Sequence, residues 1–318
     1  MFLALYLVLV NVAAFLLFGI DKKKAENGKY RISEATLIAF SVVGGALGAF
    51  LGMRIFHHKT KKKKFYITVP IFLVLLILAC IFCLYQNYHI VVTEYEYEAG
   101  FDCRVVQISD FHNQLFGFNQ STILKKIKEQ KPDIIVVTGD AVDSTHTCYQ
   151  FTEDFFEGAV EIAPVYYITG NHEVRMHGER YDEYINNIES LGVHFIDGQK
   201  VELDNIQLIG TLDNNMDNVP KFDTNNKLKM LLAHEPNDYE KYEESGADIV
   251  LTGHVHGGQI IIPGKGGLFS PDFGFFPELY EGEHQFGNTT IIISRGLGNS
   301  VAPLRINNYP EIVVLDIH

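Results

Sequence analysis

Five short polar clusters in this chain carry residue types that hold metal ions. They are Ser109-Asp110-Phe111-His112, Gly139-Asp140, Gly170-Asn171-His172-Glu173, Ala233-His234-Glu235 and Gly253-His254-Val255-His256. The donors are carboxylate, amide and imidazole, with no thiolate. That set suits Mn, Fe or Zn rather than Ca or a structural zinc site. Asp110 and His112 are separated by one residue, as are His254 and His256, so an extended segment aims both members of each pair the same way. A carboxylate such as Asp140 can bridge two ions roughly 3.5–4 Å apart, and such a pair clamps both oxygens of an in-line displacement at phosphorus. Any one cluster alone is an ordinary loop or turn. Five in order, each after an apolar run, point to a metal site.

The elements that must position these residues follow from hydrophobic pattern. Short β-branched runs at Arg104–Ile108, Asp133–Thr138, Val165–Thr169, Ile206–Gly210, Lys229–Ala233, Asp248–Thr252, Gln259–Ile262, Thr290–Ser294 and Glu311–Asp316 predict strands. Ile123 and Ile127 among lysines predict a helix, with Ser121 as a candidate N-cap. Each polar cluster then falls at the C-terminal end of a strand, the edge where α/β sheets bind ligands. Strand–helix alternation by itself predicts only an α/β class. No internal repeat or low-complexity tract is visible.

The segment from residue 99 onward resembles the calcineurin-like metallophosphoesterases, and more closely their membrane-linked bacterial branch, which includes phosphodiesterases and lipid-sugar pyrophosphatases. The family pattern D-x-H, G-D, G-N-H-E, H and G-H-x-H is present in full and in order. The resemblance implies a four-layer αββα sandwich and two metal ions. One would take Asp110, His112, Asp140 and His256, and the other Asp140, Asn171, His234 and His254. His172 would not be a ligand; it would bind the phosphoryl oxygen and act as general acid toward the leaving group. The implied reaction is hydrolysis of a phosphoester or pyrophosphate bond by a metal-bound hydroxide, without a covalent enzyme intermediate. Phe111 stands where the family more often has Leu, at a packing position.

Several neighbours carry two readings. Asn113 either contacts substrate or caps the next turn. Asp143 and Glu173 either orient ligand histidines or are simple surface groups. Arg295, in Ser294-Arg295-Gly296-Leu297-Gly298-Asn299, either binds phosphate or braces the fold. The aromatic segment Gly266–Phe286 is either a rim that meets an acyl chain or bilayer or a loop packed on its own domain.

Before residue 87 the chain is different in kind. Met1–Ile20, Ala35–Met53 and Tyr66–Tyr85 are apolar and near the ~20 residues a membrane helix needs. Gly44, Gly48 and Gly52 would allow close helix packing. Both connections are basic: Lys22, Lys23, Lys24, Lys29 and Arg31, then Arg54, Lys59 and Lys61 to Lys64. Three full spans would put these loops on opposite sides, against the positive-inside rule. Either the glycine-rich segment does not fully cross, or the denser Lys59–Lys64 cluster dominates. Both place the chain after the third segment outside the cytoplasm. The run Asn11…Asp21-Lys22…Ala25…Arg31-Ile32-Ser33-Glu34…Leu37…Gly44-Gly45…Gly48…His58-Lys59-Thr60 resembles a small bacterial membrane-domain family of unknown function, over roughly residues 1–75. For Asn11, Asp21 and Arg31 the expectation is a helix-packing or interface role.

The expected organisation is therefore a transmembrane helical domain at 1–86, a linker at 87–98 and a catalytic domain at 99–318. Charge follows the same division: residues 1–88 hold eleven Lys/Arg and three Asp/Glu, the remainder 15 and 36. So acidic a catalytic part disfavours nucleic acid as a partner and leaves a phosphorylated small molecule or lipid, with the membrane beside it. Cys80 and Cys83 lie in an apolar run; Cys103 and Cys148 are expected as unpaired thiols, with pairing possible only outside the cell. A non-catalytic membrane scaffold or sensor built on the same fold is the alternative reading.

Overall fold

The computed structural model describes residues 2–145, 148–212, 216, 219–270, 273–299 and 304–318, without the side chains of 2–4. Met1 of the first apolar run and residues 271–272 of the aromatic segment lie outside this set. The chain divides into two compact units, Met1–Leu84 and Tyr85–His318.

In the first unit, α1 spans Phe2–Glu26, α2 Glu34–Phe40 and α3 Ala46–Ile55; α4, Lys63–Tyr88, begins there. The stretches Leu5–Glu26, Glu34–Ile55 and Lys63–Tyr88 are each long and apolar enough to cross a membrane. Leu5, Val8, Leu9, Val12 and Leu16 of α1 and Ile71, Val74, Leu75, Leu78 and Ile81 of α4 are exposed. Apolar side chains on this scale suit a lipid surround.

The glycine-rich segment does not continue straight. The backbone reverses at Val43–Gly45, with Gly44 at φ +102°, a conformation that costs glycine little. Gly44 lies against Leu7, Gly48 against the Asn11 backbone, and Gly52 against Phe18. α3 therefore runs parallel to α1, back toward the end from which α2 descended. Asn11 supplies what the broken helix lacks: its Nδ2 donates to Gly44 O (2.9 Å) and its Oδ1 accepts from Gly48 N (2.8 Å). Non-helical backbone at membrane depth needs such internal partners.

Both ends of this hairpin meet α1 at Asp21, which is fully buried. The Asp21 carboxylate accepts from Arg31 Nη2 (2.9 Å) and from the Ile32 N–H (2.9 Å), and it lies 2.8 Å from His58 Nε2 and 3.4 Å from Lys59 Nζ. Lys59 and Lys62 also pair with Glu34. Asn11, Asp21 and Arg31 thus hold the unit together.

The second unit carries two six-stranded sheets. Its strands are β1 (Val91–Tyr97), β2 (Cys103–Ile108), β3 (Ile134–Thr138), β4 (Val165–Ile168), β5 (His194–Phe195), β6 (Lys200–Glu202), β7 (Ile206–Gly210), β8 (Leu228–Leu232) and β9 (Ile249–Thr252). They continue with the short pairs β10 (Ile261–Ile262) and β11 (Gly266–Gly267), and β12 (Phe269–Ser270) and β13 (Gly274–Phe275), and end with β14 (Gly282–Phe286), β15 (Thr289–Ile293) and β16 (Glu311–Ile317). The helices are α5 (Ser121–Gln130), α6 (Tyr149–Val160), α7 (Asn171–Val174), α8 (Glu179–Ser190) and α9 (Tyr239–Glu244). One sheet is ordered β1-β16-β2-β3-β4-β5 and the other β14-β15-β9-β8-β7-β6. In the first, β2 to β5 are parallel; in the second, β15, β9, β8 and β7 are.

Strand periodicity sorts the core into layers. Val106, Ile108, Ile135 and Val137 pack with Ile123, Ile127, Phe155, Phe156 and Ile188 of the helices. The alternate residues Val105, Ile134 and Val136 meet Leu208, Met230, Leu232 and Leu251 of the second sheet. That sheet's other face, with Leu231, Val250 and Ile291, is covered by Tyr242 of α9. The architecture is the expected αββα sandwich.

Two expectations are corrected. Residues 91–97 are not linker: they form an edge strand parallel to β16, because alternation of Thr93, Tyr95 and Tyr97 with acidic residues gives the segment one packing face. Ser121 does not cap α5. It is the first helical residue, preceded by Gln120 at φ +56° with no side-chain capping bond, because the Gln120 side chain is drawn inward to the Phe116 N–H (2.8 Å).

Candidate metal centre

Seven residues assemble where the C-terminal ends of β2, β3, β4, β8 and β9 converge. Asp110 and His112 follow β2, Asp140 follows β3, Asn171 follows β4, His234 follows β8, and His254 and His256 follow β9. All but the half-buried Asn171 are buried. Asp110, His112, Asp140, His254 and His256 have φ between +46° and +70°. Left-handed backbone in non-glycine residues stores strain that surrounding structure must hold, and it concentrates at functional sites. Gly139 shows how tight the site is: it sits at φ +87°, and a Cβ there would come within 2.6 Å of His234 Nδ1.

The expected donor atoms form two groups. Ligand atoms of Asp110, His112 and His256 lie within 4.8 Å of one another, and so do those of Asp140, His234 and His254; a third group at the same spacing joins His172 to His112 and Asp140. Asp140 joins the groups. Its Oδ2 is 3.6 Å from His112 Nε2 and 3.3 Å from His234 Nε2. Its Oδ1 accepts the His172 backbone N–H at 2.8 Å. Burial raises the affinity of Asp140 for a proton, but the surrounding histidines, His234 foremost, outweigh it and hold the carboxyl well below its usual range. Asp110 is held by the His254 N–H (3.0 Å) and the Ser109 hydroxyl (2.7 Å).

The contacts among the donors suit a cation between them. His112 Nε2 and His256 Nε2 face each other at 3.1 Å. His234 Nδ1 donates to the Thr138 carbonyl at 2.8 Å, which turns its Nε2 toward His254 Nδ1, 3.1 Å away. Burial lowers the pKa of His234, but Asp140 outweighs burial and raises it to about 10, so this corner of the site favours positive charge. The Asn171 amide is the sharpest case. With Oδ1 inward it lies 3.2 Å from His234 Nε2. Turned over, its nitrogen donates to Asp140 at 2.9 Å and its oxygen accepts from Arg175 at 2.7 Å. The first orientation offers the amide oxygen to a cation among these atoms; the second pairs the amide with Asp140 and Arg175. The residues fit divalent metal.

His172 stands beside the set, its ring 4.7 Å from that of His112 and nearly perpendicular to it. Its Nδ1 accepts the Ser144 N–H at 3.1 Å, so the neutral ring carries its proton on Nε2. Asp143 Oδ1 is 3.6 Å from the same Nδ1. Burial lowers the pKa of His172, but Asp143 and Asp140 more than restore it, and the balance is raised.

The neighbours divide. Asp143 lies beside His172, which is not one of the expected ligand histidines. Glu173 holds backbone rather than a histidine, which corrects the expectation for it. Its carboxylate accepts the N–H groups of Asp140 (2.9 Å), Val142 (3.1 Å) and Gly170 (2.8 Å). It is fully buried behind the loops that carry Asp140 and Asn171, where unpaired backbone donors are costly. Asn113 accepts from the Thr152 hydroxyl at 2.7 Å. Arg295 is engaged by Glu311 (2.6 Å) and Glu281 (3.3 Å), which favours the bracing role.

Sequence reasoning missed Arg305 and Asn308. Buried Arg305 donates to the carbonyls of Arg295 and Gly298, and Asn308 Nδ2 donates to the His256 carbonyl at 2.7 Å. Neither sits in a periodic or motif context, so nothing local marks them.

Comparison with known proteins agrees with this geometry. A family model for calcineurin-like phosphoesterases matches residues 103–258. The chain is 32% identical over 241 residues to the uncharacterized metallophosphoesterase YkuE of Bacillus subtilis, covering 69% of this chain and 80% of that one. The chain belongs to the calcineurin-like metallophosphoesterase family. This metallophosphoesterase is also similar to the phosphodiesterase YaeI of Escherichia coli, at 30% identity over 59% of this chain and 72% of that one. Its N-terminal part matches a family of unknown function, DUF1294, over residues 11–65. It is 51% identical over 75 residues to the uncharacterized protein YsdA of B. subtilis, covering 24% of this chain and 84% of that one.

Proposed function

We propose that this metallophosphoesterase is a membrane-anchored, dinuclear, metal-dependent hydrolase of a phosphoester or pyrophosphate bond. The observation that carries the reading is Asp140, whose single oxygen Oδ2 faces one imidazole from each donor group. Asp110, His112, Asp140 and His256 would hold one cation; Asp140, Asn171, His234 and His254 would hold the other. Such ions supply Lewis acidity to the phosphoryl group and acidify water, and Mn, Fe and Zn all suit these donors. His172 offers its Nε2–H to the phosphoryl oxygen; as the imidazolium that Asp143 and Asp140 favour, it would give that proton to the leaving oxygen and return to the neutral ring. The new P–O bond is to water and the broken one is to the leaving group. No side chain is needed as a covalent carrier.

Phe273 packs edge-on against His254, ring centroids 6.2 Å apart. It also lines a cavity of about 330 Å³ with Pro236, Tyr239, Phe276, Pro277 and Leu279. Phe269, Phe275 and Phe276 are exposed beside it. A largely apolar cavity one ring from His254, with Asn237 and Glu278 also in its lining, suits the apolar part of a lipid-linked phosphate. The hairpin bears on location. Since α2 and α3 return to the end they left, both basic loops share one end, and the positive-inside rule assigns that end to the cytoplasm. α4 starts there and would carry the chain across, leaving the catalytic unit outside.

Screening full-length protein with Mn, Fe and Zn on lipid-linked and soluble phosphates tests the activity. No turnover with any pair would favour a non-catalytic scaffold. For location, Glu98→Cys in a background with Cys80, Cys83, Cys103 and Cys148 changed to serine should react with an impermeant maleimide in intact cells. Labelling only after lysis would reverse the assignment.

A further inference from the structure

All charged side chains of the first 88 residues fall in two short stretches, 21–34 and 54–64. In a chain crossing three times these would lie at opposite ends. Here the 43–45 reversal brings them together, and the Asp21 carboxylate, with partners at Arg31, Ile32, His58 and Lys59, ties one stretch to the other. The network consumes Asp21 and Glu34, leaving Glu26, which pairs with Lys22 (3.2 Å), as the remaining acid. Lys23, Lys29, Lys61, Lys63 and Lys64 stay exposed around the lock. Next to this basic collar begins the belt of exposed apolar side chains on α1 and α4, so the surface at the collar's level is lipid headgroup.

We propose that residues 34–55 enter and leave the membrane on one face, and that the basic surface assembled there binds anionic lipid headgroups of that leaflet. Basic residues at the membrane surface attract anionic lipid cumulatively, and here the fold, rather than either loop alone, sets their density. Asn11 makes the surface possible, since it satisfies the Gly44 and Gly48 backbone that a reversal inside lipid would otherwise strand. The proposal does not depend on the catalytic reading.

Two measurements on the full chain test it. In the serine background, Asn27→Cys and Thr60→Cys report one residue from each basic loop. Both should fall in the same class, protected from impermeant maleimide in intact cells and labelled after lysis. One labelled and one protected would overturn the shared face. Second, native mass spectrometry of detergent-purified protein should show phosphatidylglycerol retained about tenfold or more over phosphatidylcholine. Changing Lys23, Lys29, Lys61, Lys63 and Lys64 to glutamine should abolish that preference while activity on a soluble ester persists as a fold control. Equal retention of the two lipids by the unaltered protein would overturn the proposal. So would displacement of the bound lipid by millimolar inorganic phosphate, because it would show a free-phosphate site.

Discussion

Each unit of this protein buries a carboxylate among basic side chains, and the two are handled in opposite ways. Asp21 is closed by its own neighbours: guanidinium, imidazole, ammonium and a backbone N–H point at it. Asp140 is ringed instead by groups that can each ligate a cation. His112 and His234 turn ring nitrogens toward its Oδ2, and Asn171 can turn an amide oxygen the same way. A buried charge with its partners built in is a structural fastening. A buried charge among further acceptors is a socket for a cation.

Metal removal is the strongest way to break this contrast. Chelation should reduce phosphoesterase activity to background, with return on adding Mn, Fe or Zn, while the Asp21 unit keeps its helical signal. Retained activity after verified metal loss would end the socket reading. Next is His172→Ala, which should lower kcat by about 10²–10⁴-fold with both metals still present by elemental analysis; unchanged kcat would remove its assigned role. Glu173→Gln should weaken metal binding by about 10–100-fold, because it serves the Asp140 and Gly170 loops through their N–H groups rather than any ligand directly. A pure kcat effect at saturating metal would contradict that. Asp21→Asn should leave kcat on a soluble ester unaltered. It should cost the N-terminal unit on the order of 2–3 kcal/mol, toward the low end for a buried pair since Arg31 is 43% exposed. Thermal unfolding in detergent measures this, and a loss of kcat would mean that the fastening also serves the catalytic unit.

Much of the catalytic unit was legible because its strands are short, β-branched and buried, and because polar clusters interrupt the apolar pattern right where each strand ends. Ile206–Gly210 is read at the observed boundaries. The 91–97 strand was not legible, because its two glutamates, Glu94 and Glu96, resemble a solvated link until β16 supplies a partner. Ser121 looked like a cap because local sequence cannot show that Gln120 has a better use for its side chain. Arg305 and Asn308 carry no local signal: their value lies in carbonyls that become neighbours only after folding.

The sequence by itself determined the candidate donors, since residue type marks what can hold a metal and each cluster directly follows a strand; the expected extended backbone at Asp110–His112 and His254–His256 is replaced by left-handed turns. It also determined that two environments share one chain, since charge and hydropathy change sharply near residue 88. Tertiary structure decided how the donors divide around Asp140, because that depends on the meeting of two sheets whose strands are far apart in sequence. It decided, too, that the glycine-rich segment turns back. Length and composition permit a full crossing, but the reversal at Gly44 rests on Asn11 from another helix, and only packing brings that side chain to the broken backbone.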